Sequence, residues 1–308
     1  MPSSTPGSAS SAAPLKRSPD RAPRTEPRRH EDLRRAYLLW RRSPLTIVGT
    51  VLTGLLLAVA GLAPWITTHD PFAQDFAVRL RPPDRAHLFG TDQFGRDIFS
   101  RVVYGSRIAL QIILIVSVIS GGAGTLIGWV SGYFGGRVDE VLMRLTDMFL
   151  AFPSLILAMA FAAALGPSLP NMILAISLVT WTPYARLARG ETLRTRALDF
   201  VEAARAMGAS DARIVSRHIV PMTVSVVIVQ LSLRMGTIAL TAAGLGFLGL
   251  GTQPPTPEWG AMVSDGRSYL IDQWWMSTLP GSAIAAAVLG FNLLGDGIRD
   301  VLDPRLRR

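Results

Sequence analysis

Long apolar runs alternate with polar segments along this chain, and six of the runs are candidates for membrane spans. A helix needs about 20 predominantly apolar residues to cross a bilayer. The pattern therefore predicts an all-α polytopic membrane protein with six transmembrane helices. The predicted spans, in chain order, are 44–66, 108–134, 138–165, 172–188, 219–250 and 280–294.

Glycine and proline positions modify this picture of regular spans. The second span is rich in glycine, which permits close approach between helices in lipid. The fifth span is too long for one straight crossing, so the glycines near its end, from Gly244 to Gly251, are expected to break or bend it. Trp181 and Pro183 predict a kink in the fourth span.

The N-terminus divides into two segments of different character. Residues 1–30 are rich in Ser, Pro, Ala and Arg, and they predict a disordered tail. Residues 31–43 place Leu33, Tyr37 and Trp40 on one helical face, with arginines elsewhere. This periodicity favours a helix in the membrane interface, although a simple basic flank of the first span is the alternative. Residues 44–308 form the predicted transmembrane domain.

Composition supports the membrane class and excludes several kinds of chemistry. Hydrophobic residues make up 49% of the chain and charged residues 17%, against about 25% charged in a typical soluble domain. There is no cysteine, and none of the four histidines forms a metal-ligand pair at helical spacing, so no metal site is expected. Lys16 is the only lysine and has no glycine-rich phosphate loop around it. No catalytic residue and no bound cofactor are therefore predicted.

The distribution of positive charge orients the predicted spans. Ten Lys or Arg residues lie within the first 44 positions, seven lie within 186–217 and four within 299–308. The loop 251–279 carries only Arg267. Positive loops tend to stay in the cytoplasm, so both termini and the 199–218 segment are expected there. The loop 67–107 is predicted to be external although it has six arginines, because five aspartates offset them.

The stretch 199–221 is polar and helix-prone, and it separates two apolar spans where a short turn would suffice. Asp199 and Glu202 have the spacing of a capping box, and Gly208 can end the first helix in the left-handed conformation. Ser210 can cap a second helix that reaches His218, and Pro221 marks the return to the membrane. A structured element of this kind predicts a docking surface for a soluble partner.

This stretch resembles the EAA motif of ATP-binding-cassette importer permeases, through Glu202-Ala203-Ala204, Gly208 and Ile219-Val220-Pro221. Two further segments resemble the dipeptide, oligopeptide and nickel permeases and their second, C-type subunit. They are 87–101, with Gly90, Asp92, Gly95, Arg96 and Asp97 in the signature G-T-D-x-x-G-R-D, and 246–260, which reads F-L-G-L-G and then P-P-T-P-E-W-G. The tail around Asn292 to Pro304 also fits, so the resemblance covers about 33–308. Many relatives carry a glutamate where this chain has Ala242-Ala243, which favours a dipeptide or glutathione type.

The resemblance implies the type I importer permease fold, in which 199–218 forms cytoplasmic coupling helices that contact an ATPase. It further implies a second permease subunit, two ATP-binding subunits that hold ATP and magnesium, and an extracytoplasmic substrate-binding protein. Substrate would cross a bacterial cytoplasmic membrane by alternating access. Short peptides are the expected substrate, and nickel chelates or glutathione are alternatives. An ion-driven secondary transporter or a membrane scaffold are the alternatives of a different class.

Several other polar residues admit two interpretations. Arg144 and Asp147 are expected to pair with each other at i,i+3, and contact with substrate is the alternative. Gln230 and Arg234 lie on one side of the fifth span, and Arg234 either meets a substrate carboxylate or pairs with an acid of a neighbouring span or subunit.

The charged residues of the external loop signature also admit two interpretations, and three tryptophans have an expected location. Asp92, Arg96 and Asp97 either stabilise the loop through internal Asp–Arg pairs or contact a binding protein or gate. Trp259, Trp274 and Trp275 are expected in an outer interfacial belt.

Overall fold

The computed structural model describes residues 43–302 and Trp40, and the regular structure in this part of the chain is helical. The predicted tail 1–30 lies outside the described residues, as does nearly all of the predicted interfacial helix 31–43. The helices that follow account for the apolar runs of the sequence, although several of their bounds differ from those predicted.

The helices are numbered here in chain order. They are α1 Pro44–Ile66, α2 Ile98–Phe134, α3 Gly136–Leu150, α4 Ser154–Leu165, α5 Leu169–Thr180, α6 Thr182–Arg196, α7 Asp199–Ala206, α8 Asp211–Ile214, α9 Val220–Phe247, α10 Trp259–Gly266 and α11 Trp275–Leu302. A π-helical turn at Val215–Ile219 joins α8 to α9, and 3-10 turns lie at Phe76–Val78 and Arg267–Tyr269.

The first helix, α1, has the predicted bounds, whereas α2 is longer than the predicted second span. Ser43 caps α1 by accepting a hydrogen bond from the Thr46 amide at 3.3 Å, and Pro44 occupies the first turn, where its missing N–H costs nothing. Helix α2 begins at Ile98 rather than near residue 108, because Asp97 caps it ten residues earlier. The loop predicted to span 67–107 therefore ends at Asp97.

The predicted third span, 138–165, is not one helix. It is divided into α3 and α4, which meet at an angle of 90°. Pro153 lies between them, and proline both lacks an amide hydrogen and disfavours a helical conformation at the preceding residue, here Phe152. The break therefore has a local cause that the apolar run concealed.

The predicted kink in the fourth span is present as a break at Trp181 between α5 and α6. Pro183 cannot donate to the carbonyl of Val179, and the Thr182 hydroxyl donates to that carbonyl instead, at 3.4 Å. Trp181 keeps right-handed helical torsion angles, so the chain continues in a helical path through the break.

The expectation that glycines break the fifth span holds at Gly249 and is wrong for Gly244 and Gly246. Helix α9 is continuous to Phe247 and includes Gly244 and Gly246. The helix ends just before Gly249, whose φ of +77° lies in the left-handed region that favours glycine. The sixth predicted span, 280–294, corresponds to α11, which is longer and runs from Trp275 to Leu302.

Helix α2 lies at the centre of the packing. It contacts α6 most extensively and also packs on α1, α5 and α9, while α11 packs on α9 and α1. A large apolar core joins α2, α5 and α9 and includes Ile113, Val116, Ile176, Ile238 and Leu245. Many other large apolar side chains of these helices are exposed, as expected for surfaces that face lipid or protein partners.

Four described helical stretches are long and apolar enough to cross a membrane: 44–66, 98–134, 211–247 and 275–301. The count is five if the bent pair α3–α4 is taken as one crossing. The chain is thus a multi-pass helical protein, with fewer individually qualifying helices than the six predicted, because α5 and α6 are each too short alone.

Candidate functional site

The segment 199–219 folds into two short helices separated by a glycine, as its sequence predicts, but its first cap differs. Asp199 is the first residue of α7 and not its cap; Leu198 occupies that position with an extended backbone, and no side chain caps the helix. The predicted capping box between Asp199 and Glu202 is therefore wrong. Both carboxylates still lie in the first turn, where the helix dipole favours negative charge.

Gly208 ends α7 in the conformation predicted for it. Its φ of +82° is left-handed, and the Ala209 amide reaches back to the Ala204 carbonyl at 3.1 Å. Ser210 then stands at the cap position of α8, although its side chain makes no capping hydrogen bond. Pro221 is the second residue of α9, where a helix tolerates proline.

Helix α7 has one buried face and one exposed face. Val201 and Ala204 are buried, and Val201 packs in a cluster with Tyr133, Ile214 and Ile219. The residues between them, including Glu202 and Ala203, are exposed, and Met207 at the end of the helix is 82% exposed. The exposed part of the helix thus combines the small Ala203 and Ala206 with the charged Glu202 and Arg205 and the apolar Phe200 and Met207, a mixture suited to contact with another protein.

Hydrogen bonds fix this segment to the end of α2. The Tyr133 hydroxyl donates to Asp211 at 2.5 Å, and the Arg196 guanidinium donates to the Tyr133 carbonyl at 2.7 Å. The Trp129 indole donates to Thr223 in the first turn of α9 at 2.9 Å. The segment therefore lies on a support made by α2 and α9.

His218 lies in the π-helical turn and packs against α7. Its ring centroid is 5.9 Å from that of Phe200, and the ring is half-buried. The contact joins the two halves of the segment across Gly208.

Ion pairs near this segment connect helices that are distant in the sequence. Arg189 of α6 donates two hydrogen bonds to Asp139 of α3, at 2.5 and 2.6 Å. The predicted pair between Arg144 and Asp147 is wrong. Arg144 instead contacts Glu140 on its own helix, and Asp147 contacts Arg186 of α6, both at 2.6 Å.

Gln230 and Arg234 are both half-buried on α9, one helical turn apart. Within residues 43–302, no acidic side chain lies within ion-pair distance of Arg234. Tyr184 lies on α6, a helix that packs against α9, and its hydroxyl faces the interior. The hydroxyl is buried and has no hydrogen-bond partner among the described residues. Arg234 and Tyr184 are therefore two polar residues without described partners on helices that pack against each other.

The loop between α1 and α2 is held together by its own charges. The Arg96 guanidinium lies 2.6 Å from Asp92, both side chains are buried, and Arg101 approaches the same carboxylate at 3.8 Å. Arg96 also lies 3.7 Å from Asp265 in α10. The pairs with Asp92 are the internal Asp–Arg pairs that one of the two interpretations of this loop predicts. The contact between Arg96 and Asp265 also joins this loop to α10.

Gly90 and Gly95 have left-handed φ values of +73° and +71°. Any side chain at Gly95 would collide with the backbone of Asp75, and one at Gly90 would meet the Trp275 indole, whose Nε1 lies 2.8 Å from the Cβ position. At both positions glycine is required twice: the backbone is left-handed, and there is no room for a side chain.

Asp97 caps α2 and gathers two histidines. One of its oxygens accepts from the Ser100 amide at 2.8 Å, and the other lies 3.0 Å from His87 Nδ1 and 3.8 Å from His69 Nδ1. No sequence pattern indicates this cluster, because the three residues are 10 to 28 positions apart and no helix relates them. The capping position of Asp97 before an apolar run was the only available signal.

The expectation that Trp259 and Trp275 lie in an outer lipid belt is wrong. Both are buried; the Trp259 indole donates to the Val102 carbonyl at 2.9 Å, and that of Trp275 donates to the Thr91 carbonyl at 3.3 Å. They form the core that joins the two loops. Trp274 is half exposed and remains compatible with the prediction.

Glu258 caps α10 from a buried position. Its carboxylate accepts hydrogen bonds from the Gly260 and Ala261 amides at 2.8 and 2.9 Å. Burial nevertheless raises the pKa of Glu258 from 4.5 to about 7, because the two hydrogen bonds only partly offset the loss of water.

Comparison with known protein families gives two matches. Residues 124–308 match the family described as binding-protein-dependent transport system inner membrane component. Residues 33–83 match the N-terminal TM domain of oligopeptide transport permease C. The first match covers more than half of the chain and includes α7 to α11.

Similar curated proteins cover nearly the whole chain. The Probable D,D-dipeptide transport system permease protein DdpC of Escherichia coli (strain K12) is 50% identical over 272 residues, which are 88% of this chain and 91% of the relative. The Dipeptide transport system permease protein DppC of Alkalihalophilus pseudofirmus is 42% identical over 274 residues, or 89% and 90%. The Glutathione transport system permease protein GsiD of Escherichia coli O6:K15:H31 is 42% identical over 279 residues, or 90% and 91%.

Proposed function

We propose that this chain is a permease subunit of an ATP-driven importer of short peptides. The premise is that the chain belongs to the family of binding-protein-dependent transport system inner membrane components. The chain itself is the non-catalytic membrane component of such a system. Relatives whose names specify dipeptide or peptide transport support the peptide substrate. A relative named for glutathione leaves that small peptide as the alternative substrate, and nickel chelates remain a weaker one.

The observation that carries this proposal is the two-faced helix α7. Its buried face rests on Tyr133, Ile214 and Ile219, while Glu202, Ala203 and Met207 face outward. In the proposal, this outward face contacts an ATP-binding subunit on another chain. Asp199, Gly208, His218 and Pro221 shape the segment, since they begin it, turn it and return it to the membrane.

The support beneath α7 gives the proposal its mechanism. The segment is bonded to Tyr133 near the end of α2 and is continuous with α9, so a displacement of α7 acts on both helices. We infer that ATP binding and hydrolysis on the partner subunits moves the segment and alternately opens the path to either side. ATP and magnesium would be held by those partners and not by this chain.

The proposal includes six crossings: α1, α2, the bent pair α3–α4, the pair α5–α6, α9 and α11. The helical backbone at Trp181 supports the treatment of α5 and α6 as one crossing. An even number of crossings puts both termini on one side, and the arginines of 186–217 favour the cytoplasm for that side. The loops 67–97 and 248–274 would then face a binding protein outside a bacterial cytoplasmic membrane, and a second permease subunit would complete the path.

Arg234 is the residue we assign to the substrate path, together with Gln230. A guanidinium at membrane depth is costly unless it is paired or hydrated, and the described residues offer no acid to pair with it. The terminal carboxylate of a peptide is a matching group for a guanidinium. An acid of the second permease subunit is the other candidate partner.

The test of the coupling role compares two exposed alanines. Ala203→Trp adds a large side chain to the outward face of α7, and Ala86→Trp adds the same side chain to the exposed loop between α1 and α2. We expect Ala203→Trp to abolish co-purification of the ATP-binding subunits and peptide uptake, with normal membrane insertion. Ala86→Trp should retain that co-purification.

Two outcomes would count against the proposal. If Ala203→Trp retains both the ATP-binding subunits and peptide uptake, α7 is not the contact surface. If the single chain takes up peptide in vesicles under an ion gradient without ATP, the ion-driven alternative replaces the importer. Retention of glutathione by the associated binding protein, with no affinity for dipeptides, would change only the substrate.

A further inference from the structure

His69, His87 and Asp97 come together from three separate parts of the chain. His69 lies three residues after the end of α1, His87 lies within the following loop, and Asp97 is the residue that caps α2. One potential metal-ligating atom from each of them lies within 4.8 Å of the others. The coupling mechanism proposed above uses none of these three side chains.

The distances among these atoms suit a shared metal ion. His87 Nδ1 and His69 Nδ1 lie 3.0 and 3.8 Å from the same oxygen of Asp97. Ligands about 2.0–2.1 Å from a tetrahedral zinc ion stand roughly 3.3–3.4 Å from one another. The two imidazole rings are stacked, with centroids 4.7 Å apart, so both present Nδ1 to the carboxylate side by side.

Neighbouring groups hold two of these ligands in position. The other Asp97 oxygen accepts from the Ser100 amide at 2.8 Å, which leaves the first oxygen directed at the histidines. The Ser100 hydroxyl in turn accepts from the His69 amide at 3.1 Å. Hydrogen bonds of this outer kind are typical supports of metal ligands, because they fix the orientation of the ligating group.

The charge of Asp97 is not neutralised by the arginines of the loop. Arg96 and Arg101 are directed at Asp92, and among residues 43–302 the only ion-pair partners of Asp97 are the two histidines. Asp97 and His87 are buried, whereas the side chain of His69 is 42% exposed. The cluster therefore has a buried anionic ligand and one side open to solvent.

We propose that His69, His87 and Asp97 bind a divalent transition-metal ion, with zinc as the ion that fits best. Imidazole nitrogen and carboxylate oxygen are zinc ligands, and three protein ligands leave a fourth position for water on the exposed side of His69. Calcium and magnesium prefer ligand sets made only of oxygen. The ion joins the end of α1 to the start of α2 and so restrains the loop between them.

The same side chains can instead form a hydrogen-bonded cluster in which His87 donates to Asp97 without any metal. The two arrangements differ in zinc affinity, which is measured with the purified full-length chain in detergent, without a polyhistidine tag. Zinc chloride is titrated in competition with a fluorescent zinc chelator. We expect one zinc ion per wild-type chain, and tetrahedral-type absorption bands when cobalt replaces zinc.

His69→Ala is the decisive variant, because it removes an exposed ring and retains the bond between His87 and Asp97. Loss of one ligand should weaken zinc binding by about 100-fold or more, beyond the effect of outer-shell changes. His218→Ala, a matched change in a half-buried histidine elsewhere, should leave zinc affinity unchanged. Asp97→Asn retains an oxygen for the Ser100 amide, removes the charge and should also weaken zinc binding.

Equal zinc affinity of the wild type and His69→Ala would overturn the proposal, as would the absence of zinc binding by the wild type at micromolar concentrations. Either result would assign the cluster to hydrogen bonding alone. The outcome is independent of the coupling role of α7, because zinc affinity is measured on a loop that does not contact that helix.

Discussion

At the residue scale, Arg96 is the charge on which the loop between α1 and α2 most depends. Its side chain is 2% exposed, and that of its partner Asp92, 2.6 Å away, is 8% exposed. Arg96→Ala removes the close partner of the buried Asp92 carboxylate and leaves it only Arg101, at 3.8 Å, so the free energy of unfolding should fall by up to about 3–5 kcal/mol. Thermal or denaturant unfolding of the purified protein in detergent measures the loss.

Arg85 provides the matched control for that prediction. It is exposed in the same loop and belongs to none of the ion pairs of residues 43–302. Arg85→Ala should change the unfolding free energy by no more than about 0.5 kcal/mol. If the two variants unfold alike, the buried pair does not stabilise the loop.

Glu258 makes stability depend on pH in a defined direction. Its folded-state pKa of about 7 lies above the ordinary 4.5, so its contribution is greatest below pH 4.5 and is lost as pH rises through 7. The difference corresponds to about 3 kcal/mol. Unfolding measured from pH 4.5 to 7.5 should show the wild type losing stability relative to Glu258→Gln by that order.

The comparison with Glu258→Gln isolates this one group. Burial also raises the pKa of Asp265, which contributes a dependence of the same sign in both proteins and therefore cancels. The glutamine loses some capping strength at every pH, so only the change with pH is diagnostic. Parallel pH profiles for the two proteins would refute the assignment.

The roles of single residues could be predicted from the sequence only where the cause is local. Gly208 takes the predicted left-handed conformation because a turn between two helices requires it. The partner of Asp147 could not be predicted, because Arg186 is 39 positions away and packing alone brings it near. The partner of Arg144 is the local Glu140, and the prediction chose the wrong one of two acids at helical spacing. The burial of Trp259 has the same kind of cause, since α2 covers it.

At the element scale, a stripe of glycines sets the distance between α2 and α6. Side chains at Gly124, Gly128 and Gly132 would collide with α6, whereas one at Gly122 would meet open space. Gly128→Ala places a methyl group 2.6 Å from the Ala188 Cβ. It should therefore destabilise the protein by about 1–3 kcal/mol in thermal or denaturant unfolding.

Gly122→Ala makes the same substitution on the same helix at a position where the added methyl group meets no neighbouring atom. It should be neutral or stabilise by up to about 1 kcal/mol, because alanine favours the helix. Equal effects at Gly122 and Gly128 would mean that helix propensity, and not close packing, decides the outcome.

Helix bounds could be predicted where apolar pattern and end signals coincide, as in α1, which has Ser43 and Pro44 at its start. They were mispredicted where charged residues lie inside a helix. The first turns of α2 contain Arg101, whose buried guanidinium is satisfied by the Pro71 and Pro255 carbonyls. Hydropathy cannot detect such pairing, whereas Pro153 was a visible signal for the break between α3 and α4.

At the scale of the whole molecule, apolar patterning predicts a multi-pass helical protein because exposed apolar side chains cover α1, α2 and α9. The number of crossings is harder to predict, since α3–α4 and α5–α6 are interrupted pairs. Whether each pair counts as one crossing depends on how its two helices lie in the bilayer. Orientation is a separate question, and the arginine distribution is its only guide in the sequence.

The absence of cysteine from this chain makes that orientation directly measurable. Met207→Cys and Ile271→Cys replace side chains that are 82% and 95% exposed, and α9 is the only long helix between them. In the proposed orientation, a membrane-impermeant maleimide labels Ile271→Cys in intact spheroplasts, and it labels Met207→Cys only after permeabilisation. The reverse pattern would place α7 outside, beyond reach of a cytoplasmic ATPase. Labelling of both from outside would mean that α9 does not cross the membrane.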